Sequence, residues 1–314
     1  MSDTKDGAPS AFGSGLSLEL LKAVSRSFYL SMVWLPAPMR RGVALGYLLA
    51  RATDSVADSS SAPSERRESV LEAMGRCIAA PAALPEEPEL LQSLREEMAA
   101  AQQKPSEAEL LRRFGDALRA LRALPVGEAA LLREVLDSII EGQLWDLRYF
   151  RRREVVERDD DTRRYTQLVA GCVGIFWTRL GRVTLGEHFC PADRAELMEQ
   201  AAARYGRGLQ LINILRDRRE DAARGRRYLC SDPQIWLSRA ERYMRDGLDY
   251  SRRLGLMRLR FASMLPALIG LRTLRLLRRN RDETKRVRIP RRSVWAALAQ
   301  ALCLSLRRRR TRLL

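Results

Sequence analysis

Two segments of this chain place aspartates one helical turn apart inside runs that are otherwise apolar. The first is Gly46-Tyr-Leu-Leu-Ala-Arg-Ala-Thr-Asp-Ser-Val-Ala-Asp58. Tyr47, Arg51, Asp54 and Asp58 stand at i, i+4, i+7 and i+11, one face of a helix with ~3.6 residues per turn. The second, Gly208-Leu-Gln-Leu-Ile-Asn-Ile-Leu-Arg-Asp-Arg-Arg-Glu-Asp221, repeats the arrangement with Gln210, Asn213, Asp217 and Asp221. Each helix must bury most of its circumference while keeping one polar stripe supplied with partners, because buried charge is costly alone. A like-charged i,i+4 pair costs roughly a few tenths of a kcal/mol even on an isolated helix, so something positive must offset it.

Aspartates at this spacing offer hard oxygen ligands to Mg²⁺, which keeps several waters and binds through one or two carboxylates plus substrate phosphates. One such pair on a helix is usually a solvated face. Two pairs, each with an arginine nearby, make a metal and phosphate site as good a reading as the solvated one, since arginine donates bidentately to phosphate.

The rest of the chain predicts an all-α fold. Leu- and Ala-rich runs with few β-branched stretches favour helices. Prolines punctuate them. Ser17 is a candidate N-cap for a helix from Leu18 towards Pro36, and a second helix is expected from Met39 to Asp58. Others are expected at 65–79, 89–103, 106–123, 126–150, 162–186, 191–223, 233–254, 260–280 and 292–308, with Arg151–Asp161 as a charged connector. No internal repeat, β-hairpin signature or dinucleotide-type glycine fingerprint is present.

Charge is unevenly spread. The net formal charge is +17. Residues 271–314 alone hold 15 basic and 2 acidic residues, a net of +13, which suits an anionic partner. Five cysteines without metal-like spacing read as free thiols in a reducing cytoplasm. The single histidine, His188, excludes a multi-histidine metal site and reads as a surface or loop residue.

At the aspartate segments the chain resembles the squalene/phytoene synthase family. The resemblance covers roughly residues 20–290. It is carried by Ser25-Arg-Ser-Phe28, Leu49–Asp58, Tyr165–Gly174 and Gln210–Asp221, continuing to Gly225-Arg-Arg-Tyr228. It implies an isoprenoid-synthase helical bundle around a central cavity, with the two aspartate motifs facing each other across its mouth. Residues 1–16 then read as a disordered tail, 17–290 as one catalytic domain, and 291–314 as a C-terminal helix with a basic tail.

By matching positions, the resemblance makes Asp54, Asp58, Asp217 and Asp221 the Mg²⁺-associated carboxylates. Ser27, Phe28, Tyr47, Arg51, Gln210, Asn213, Arg216 and Arg226 fall at substrate-binding positions, and Tyr165 at an acid/base or cation-steering position. Some family members carry another acid where Ser59 stands. A segment linked to NADPH phosphates corresponds here to Val287–Arg292, with Arg288 and Arg291 as candidates.

The implied reaction is head-to-head condensation of two farnesyl diphosphates through presqualene diphosphate, then NADPH-dependent reduction to squalene. Non-reducing relatives that stop at presqualene diphosphate, or give dehydrosqualene or phytoene, are the nearest alternatives. A non-catalytic basic protein that binds nucleic acid or membrane is more distant, and no nucleic-acid-binding signature is present. The expected location is cytoplasmic. A peripheral place on the inner face of the cytoplasmic membrane stays open, through the apolar segment Val294–Leu306 and the arginines after it.

Overall fold

The computed structural model describes residues 16–25, 28–59, 61–80, 88–280 and 287–306. Among them no β-strand occurs, only an isolated bridge between Val155 and Arg227. The fold is all-α, as expected. Contacts group the chain into two compact units: Met1–Tyr29 with Arg41–Leu136, and Leu30–Arg40 with Asp137–Leu314. Of the tail expected at 1–16, Leu16 alone is described, and it is buried.

The first unit is built on α3 (Ala37–Ala57), whose Leu45, Leu48, Leu49, Ala52 and Val56 are all buried. Before it come α1 (Leu18–Ser25) and α2 (Phe28–Val33), the latter from Leu30 onward belonging to the second unit. Ser17 caps α1, its hydroxyl accepting the Leu20 N–H at 3.0 Å. After it come α4 (Ser64–Ala79), α5 (Pro88–Ser93) with a π-helical turn at Leu94–Met98, α6 (Pro105–Arg112), α7 (Phe114–Arg122) and the start of α8 (Val126–Phe150). Pro105 opens α6, where its missing N–H costs nothing. The expected helix over 106–123 is two helices, broken at Arg113. Ser59 is buried and receives the Gln102 side-chain amide, which also donates to Met98 O at 3.0 Å and Ser55 O at 3.2 Å. A serine at this position ties the end of α3 to the segment before α6.

The second unit continues with α9 (Asp159–Thr166), a π-helical turn at Gln167–Gly171, α10 (Cys172–Leu185), α11 (Ala195–Ala223), α12 (Pro233–Arg253), α13 (Met257–Arg279) and α14 (Arg291–Leu306). Helix α11 is central, packing against α9, α10, α12 and α13. Glycine permits the closest of these approaches. A Cβ on Gly174 would overlap the Ala202 carbonyl of α11, and one on Gly206 would overlap the Ala170 carbonyl. Helix packing therefore accounts for Gly174. By length and composition Asp159–His188 is apolar enough to cross a membrane, but here it lies along α11. His188 is exposed, in a 3₁₀ turn.

Gly174→Ala is expected to cost at least ~1–3 kcal/mol, because backbone must move to admit the methyl. Gly127→Ala meets nothing within 4 Å and should be neutral or stabilising by up to ~1 kcal/mol. Urea unfolding of both variants measures the contrast, and equal midpoints would contradict the packing account.

Candidate functional site

In the first unit, α3 presents Tyr47, Arg51, Asp54 and Asp58 along one face. Arg51 is the hub. Its Nη1 donates to Asp54 Oδ2 at 2.5 Å, and its Nη2 donates to Glu107 Oε1 of α6. Lys104 Nζ also donates to Glu107, at 2.8 Å. Glu107 is buried, and its two cationic partners hold its carboxyl below the usual carboxylate range despite that burial. Asp54 behaves oppositely. Its side chain is partly open, with 41% of its surface accessible. Burial, then repulsion from Asp58, pushes it up to about 7 against the pull of Arg51. Asp58 is exposed at the helix end. The Tyr47 hydroxyl donates to Val24 O at 3.1 Å, and its ring lies 6.4 Å from that of Phe28. Ser27 lies outside the described residues.

In the second unit, α11 carries Gln210, Asn213, Asp217 and Asp221 on one face. Asn213 Nδ2 donates to Gln210 Oε1 at 3.3 Å. The Arg216 guanidinium grips its neighbour Asp217 through two nitrogens, Nε at 2.9 Å and Nη2 closer still. Asp221 is pushed up to about 6, by burial first and Asp217 second, against Arg224 and Arg226. After α11 the chain turns at Gly225, with φ of 73°, a conformation that favours glycine. The turn brings Arg226 Nη1 to Asp146 Oδ2 of α8 at 2.8 Å. Asp146 is buried and also accepts the Tyr228 hydroxyl at 2.5 Å. Tyr228 stacks on Tyr165 with centroids 5.1 Å apart and planes 19° apart, and Trp145 flanks Tyr165 at 5.5 Å. Burial, with the nearby Tyr165 and Asp146, holds the Tyr228 hydroxyl well above its usual range, so it stays protonated. Tyr165 stands in the last turn of α9, immediately before the π-helical turn.

A cavity of about 760 Å³ lies beside this cluster within the second unit. Arg216, Arg218, Arg219, Arg226 and Arg227 line it together with Asp221. Val287 reaches its wall, and Arg288 and Arg291 follow, both exposed.

Among the described residues no three His, Cys, Asp or Glu side chains gather as a metal cluster. Each aspartate motif supplies two oxygen-bearing groups, which fits an ion that completes its shell with water and phosphate. The raised Asp54 and Asp221 carboxyls support the same conclusion, because a bound cation would relieve the repulsion that raises them. Sequence reading missed Glu107, Lys104, Asp146 and the orienting part played by Tyr228. A lone acid among apolar neighbours, as in Gln143-Leu-Trp-Asp146, was the available signal.

Known proteins similar to this chain point to one family. The squalene/phytoene synthase family profile matches residues 21–237. The bifunctional lycopene cyclase/phytoene synthase of Phaeosphaeria nodorum is 30% identical over 223 residues, 69% of this chain and 33% of that protein. The presqualene diphosphate synthase of Rhodopseudomonas palustris is 31% identical over 211 residues, 67% of this chain and 60% of that protein. The chain thus matches about a third of the bifunctional relative's length. The solved complex of TcSQS with the ligand E5700 superposes with a TM-score of 0.69 at 23% identity, covering 92% of this chain and 87% of that one. Squalene synthase HpnC from Alicyclobacillus acidocaldarius gives 0.51 at 18% identity, covering 86% and 98%. At these identities the likeness establishes the shared fold.

The raised carboxyls set a pH dependence for the metal-free protein. Groups whose folded pKa exceeds the unfolded value bind more protons when folded, so their contribution to stability is present at low pH and lost as pH rises. For Asp221 and Asp54 the window runs from the ordinary value of 3.8 to about 6 and about 7. The melting temperature of wild type relative to Asp54→Asn/Asp221→Asn should therefore fall between pH 4 and pH 8, and Mg²⁺ should restore it at pH 8. A difference that is flat with pH would contradict the desolvated pairs.

Proposed function

We propose, from the fact that the chain belongs to the squalene/phytoene synthase family, that it condenses two farnesyl diphosphates head to head through presqualene diphosphate. With NADPH it carries the product on to squalene. The family performs head-to-head condensation of isoprenoid diphosphates, and the site supports the diphosphate-ionising step common to its products. One observation carries it: two aspartate pairs, each with a desolvated member raised above its usual range and an arginine bonded to a carboxylate. Such pairs await a cation and a phosphate together.

Asp54 with Asp58, and Asp217 with Asp221, would hold Mg²⁺, which supplies neutralisation of the charge that develops on a departing diphosphate. Arg51 and Arg216 lie against the carboxylates, and their planar donor edges match diphosphate oxygens equally well. Arg226, paired with Asp146, adds a further positive group on the cavity wall.

Ionisation of one farnesyl diphosphate leaves an allylic cation, which the double bond of the other attacks. An aromatic face stabilises passing positive charge through its quadrupole. Tyr228 lines the cavity and supplies that face, and stacked on it is Tyr165, which also meets Trp145. The Tyr165 hydroxyl is the group available to accept or relay the proton lost in cyclopropane closure. The protonated Tyr228 donates to Asp146, which fixes the stack without placing a second base beside the cation. Arg288 and Arg291, next to the arginine-lined cavity, have the donor chemistry to hold NADPH phosphates. The five free cysteines suit a reducing cytoplasm, the setting this reading implies.

Chelation should abolish diphosphate release from farnesyl diphosphate, and Mg²⁺ should restore it. Asp54→Asn and Asp217→Asn should each lower turnover by about 10²-fold or more with helical content retained, the scale set by loss of one preorganised charge-stabilising group. Near-normal turnover in both variants would sink the assignment.

Product analysis separates the finer readings. Farnesyl diphosphate with NADPH should give squalene, and without NADPH should give presqualene diphosphate or dehydrogenated products. An identical list in both cases makes the chain a non-reducing relative, and phytoene from geranylgeranyl diphosphate makes it a C20 enzyme. Tyr165→Phe should slow presqualene diphosphate formation, and supplied presqualene diphosphate should bypass the defect.

A further inference from the structure

Three arginines at the crossing of α11 and α12 lack the acids that their neighbours have. Arg204 of α11 pairs with Asp246 of α12 at 3.0 Å. On α12, Arg245 and Arg252 pair with Glu241 and Asp249, each at 2.7 Å. Arg163 of α9 donates to Asp160 at 2.6 Å. Among the described residues, Arg207 of α11 and Arg239 and Arg242 of α12 meet no carboxylate in this way, and Arg207 Nε and Arg239 Nη1 are buried without an acceptor.

Aromatic rings hold the three together. Arg207 and Arg242 lie 5.4 and 6.0 Å from the centroid of the Tyr243 ring, and Arg239 lies 4.6 Å from that of Trp236. Trp236, Arg239 and Tyr243 stand at i, i+3 and i+7, on one face of α12. Gly208 sets the crossing, because a Cβ there would overlap the Tyr243 Cβ and the Met244 methyl. The turn of α11 that carries Arg207 is therefore pressed against the turn of α12 that carries Tyr243. Solvent still reaches the cluster, since Arg207 and Arg239 are half-buried and Arg242 is exposed. None of the three lines the cavity beside the aspartate motif of α11.

The cluster is short of negative charge. Burial first, and the charge of Arg163 next, hold the Arg239 guanidinium below its ordinary value. The nearby Asp159 is already occupied, accepting from Ser231 Oγ at 3.0 Å and Cys230 Sγ at 3.2 Å. Three cations gathered on a rigid seam fit an anion that carries several charges over several ångströms, and guanidinium edges match phosphate oxygens. The rings narrow the choice further. Trp236 and Tyr243 are 1% and 8% exposed, so neither offers a free face to a nucleobase or an anchor to a protein partner. A phosphate chain alone satisfies the arginines and asks nothing of the rings.

We propose that Arg207, Arg239 and Arg242 form a second phosphate-binding site, which takes the diphosphate or triphosphate chain of free polyphosphate or of a nucleotide. The test is titration calorimetry of the full chain in excess chelator at low salt, with orthophosphate, inorganic diphosphate, tripolyphosphate and ATP as probes. Without Mg²⁺ or prenyl substrate, the outcome does not depend on the catalytic reading. Diphosphate should bind at least ten-fold more tightly than orthophosphate. The triple variant Arg207→Gln/Arg239→Gln/Arg242→Gln should weaken diphosphate at least ten-fold with helical content unchanged, whereas Arg216→Gln/Arg226→Gln should leave a diphosphate site of wild-type affinity. If the triple variant fails to fold, Arg242→Gln alone, at the exposed position, should show a smaller loss. ATP and tripolyphosphate should bind alike, which assigns the site to the phosphate chain. A ten-fold preference for ATP that the triple variant removes would assign the same site to a nucleotide. Absence of diphosphate binding by wild type would overturn the proposal. So would binding that the triple variant keeps and Arg216→Gln/Arg226→Gln loses, which would place it in the cavity.

Discussion

Like charges one helical turn apart, on helices that must otherwise be buried, are the constraint around which each unit is organised. Repulsion between Asp54 and Asp58, and between Asp217 and Asp221, adds to the cost of taking carboxylates out of water. The protein offsets this only in part. Arg51 is shared between Asp54 and a buried Glu107, and Glu107 is shared in turn with Lys104. Arg216 closes on Asp217, while Arg226 is committed to Asp146. Arg51 and Arg226 are thus each held by an acid, Glu107 or Asp146, that is not one of the paired aspartates. The remaining deficit of positive charge is what a cation bound with a phosphate would fill.

Rigid surroundings make that deficit persist. A flexible helix would let paired aspartates splay apart or turn to water. Here α11 cannot move easily, because its backbone meets the segment Gln167–Gly174 where only hydrogen atoms stand between them. The aromatic ladder works in the same direction. Tyr228 is tied to Asp146 by its hydroxyl and to Tyr165 by its face, and Phe150 meets Tyr228 edge-on at 5.0 Å. A ring held from several sides keeps one orientation, the kind of preorganisation that charge-stabilising sites require.

Several elements were legible in advance. Helix α8 runs from Val126 to Phe150 as its proline-bounded apolar pattern predicts, and Ser17 caps α1. The Asp-x-x-x-Asp faces follow from helix geometry once the helices form. Elsewhere periodicity was too coarse. The run expected as one helix over 162–186 starts at Asp159 and widens into a π-helical turn at Gln167–Gly171, where the Gln167 side chain folds over Gly171. Hydrophobic period alone does not show such a turn, because it depends on what the neighbouring helix presses against.

The local code therefore determined which residues share a helix face, where helices start and stop, and which carboxylates stand in pairs. Tertiary structure decided their charge partners. Glu107 lies 56 positions from Arg51, and Asp146 lies 80 from Arg226. Nothing in either local pattern names the other. The reason is that helix geometry acts over a single turn, whereas desolvation and Coulomb attraction act on whatever the fold places within a few ångströms, irrespective of distance along the chain.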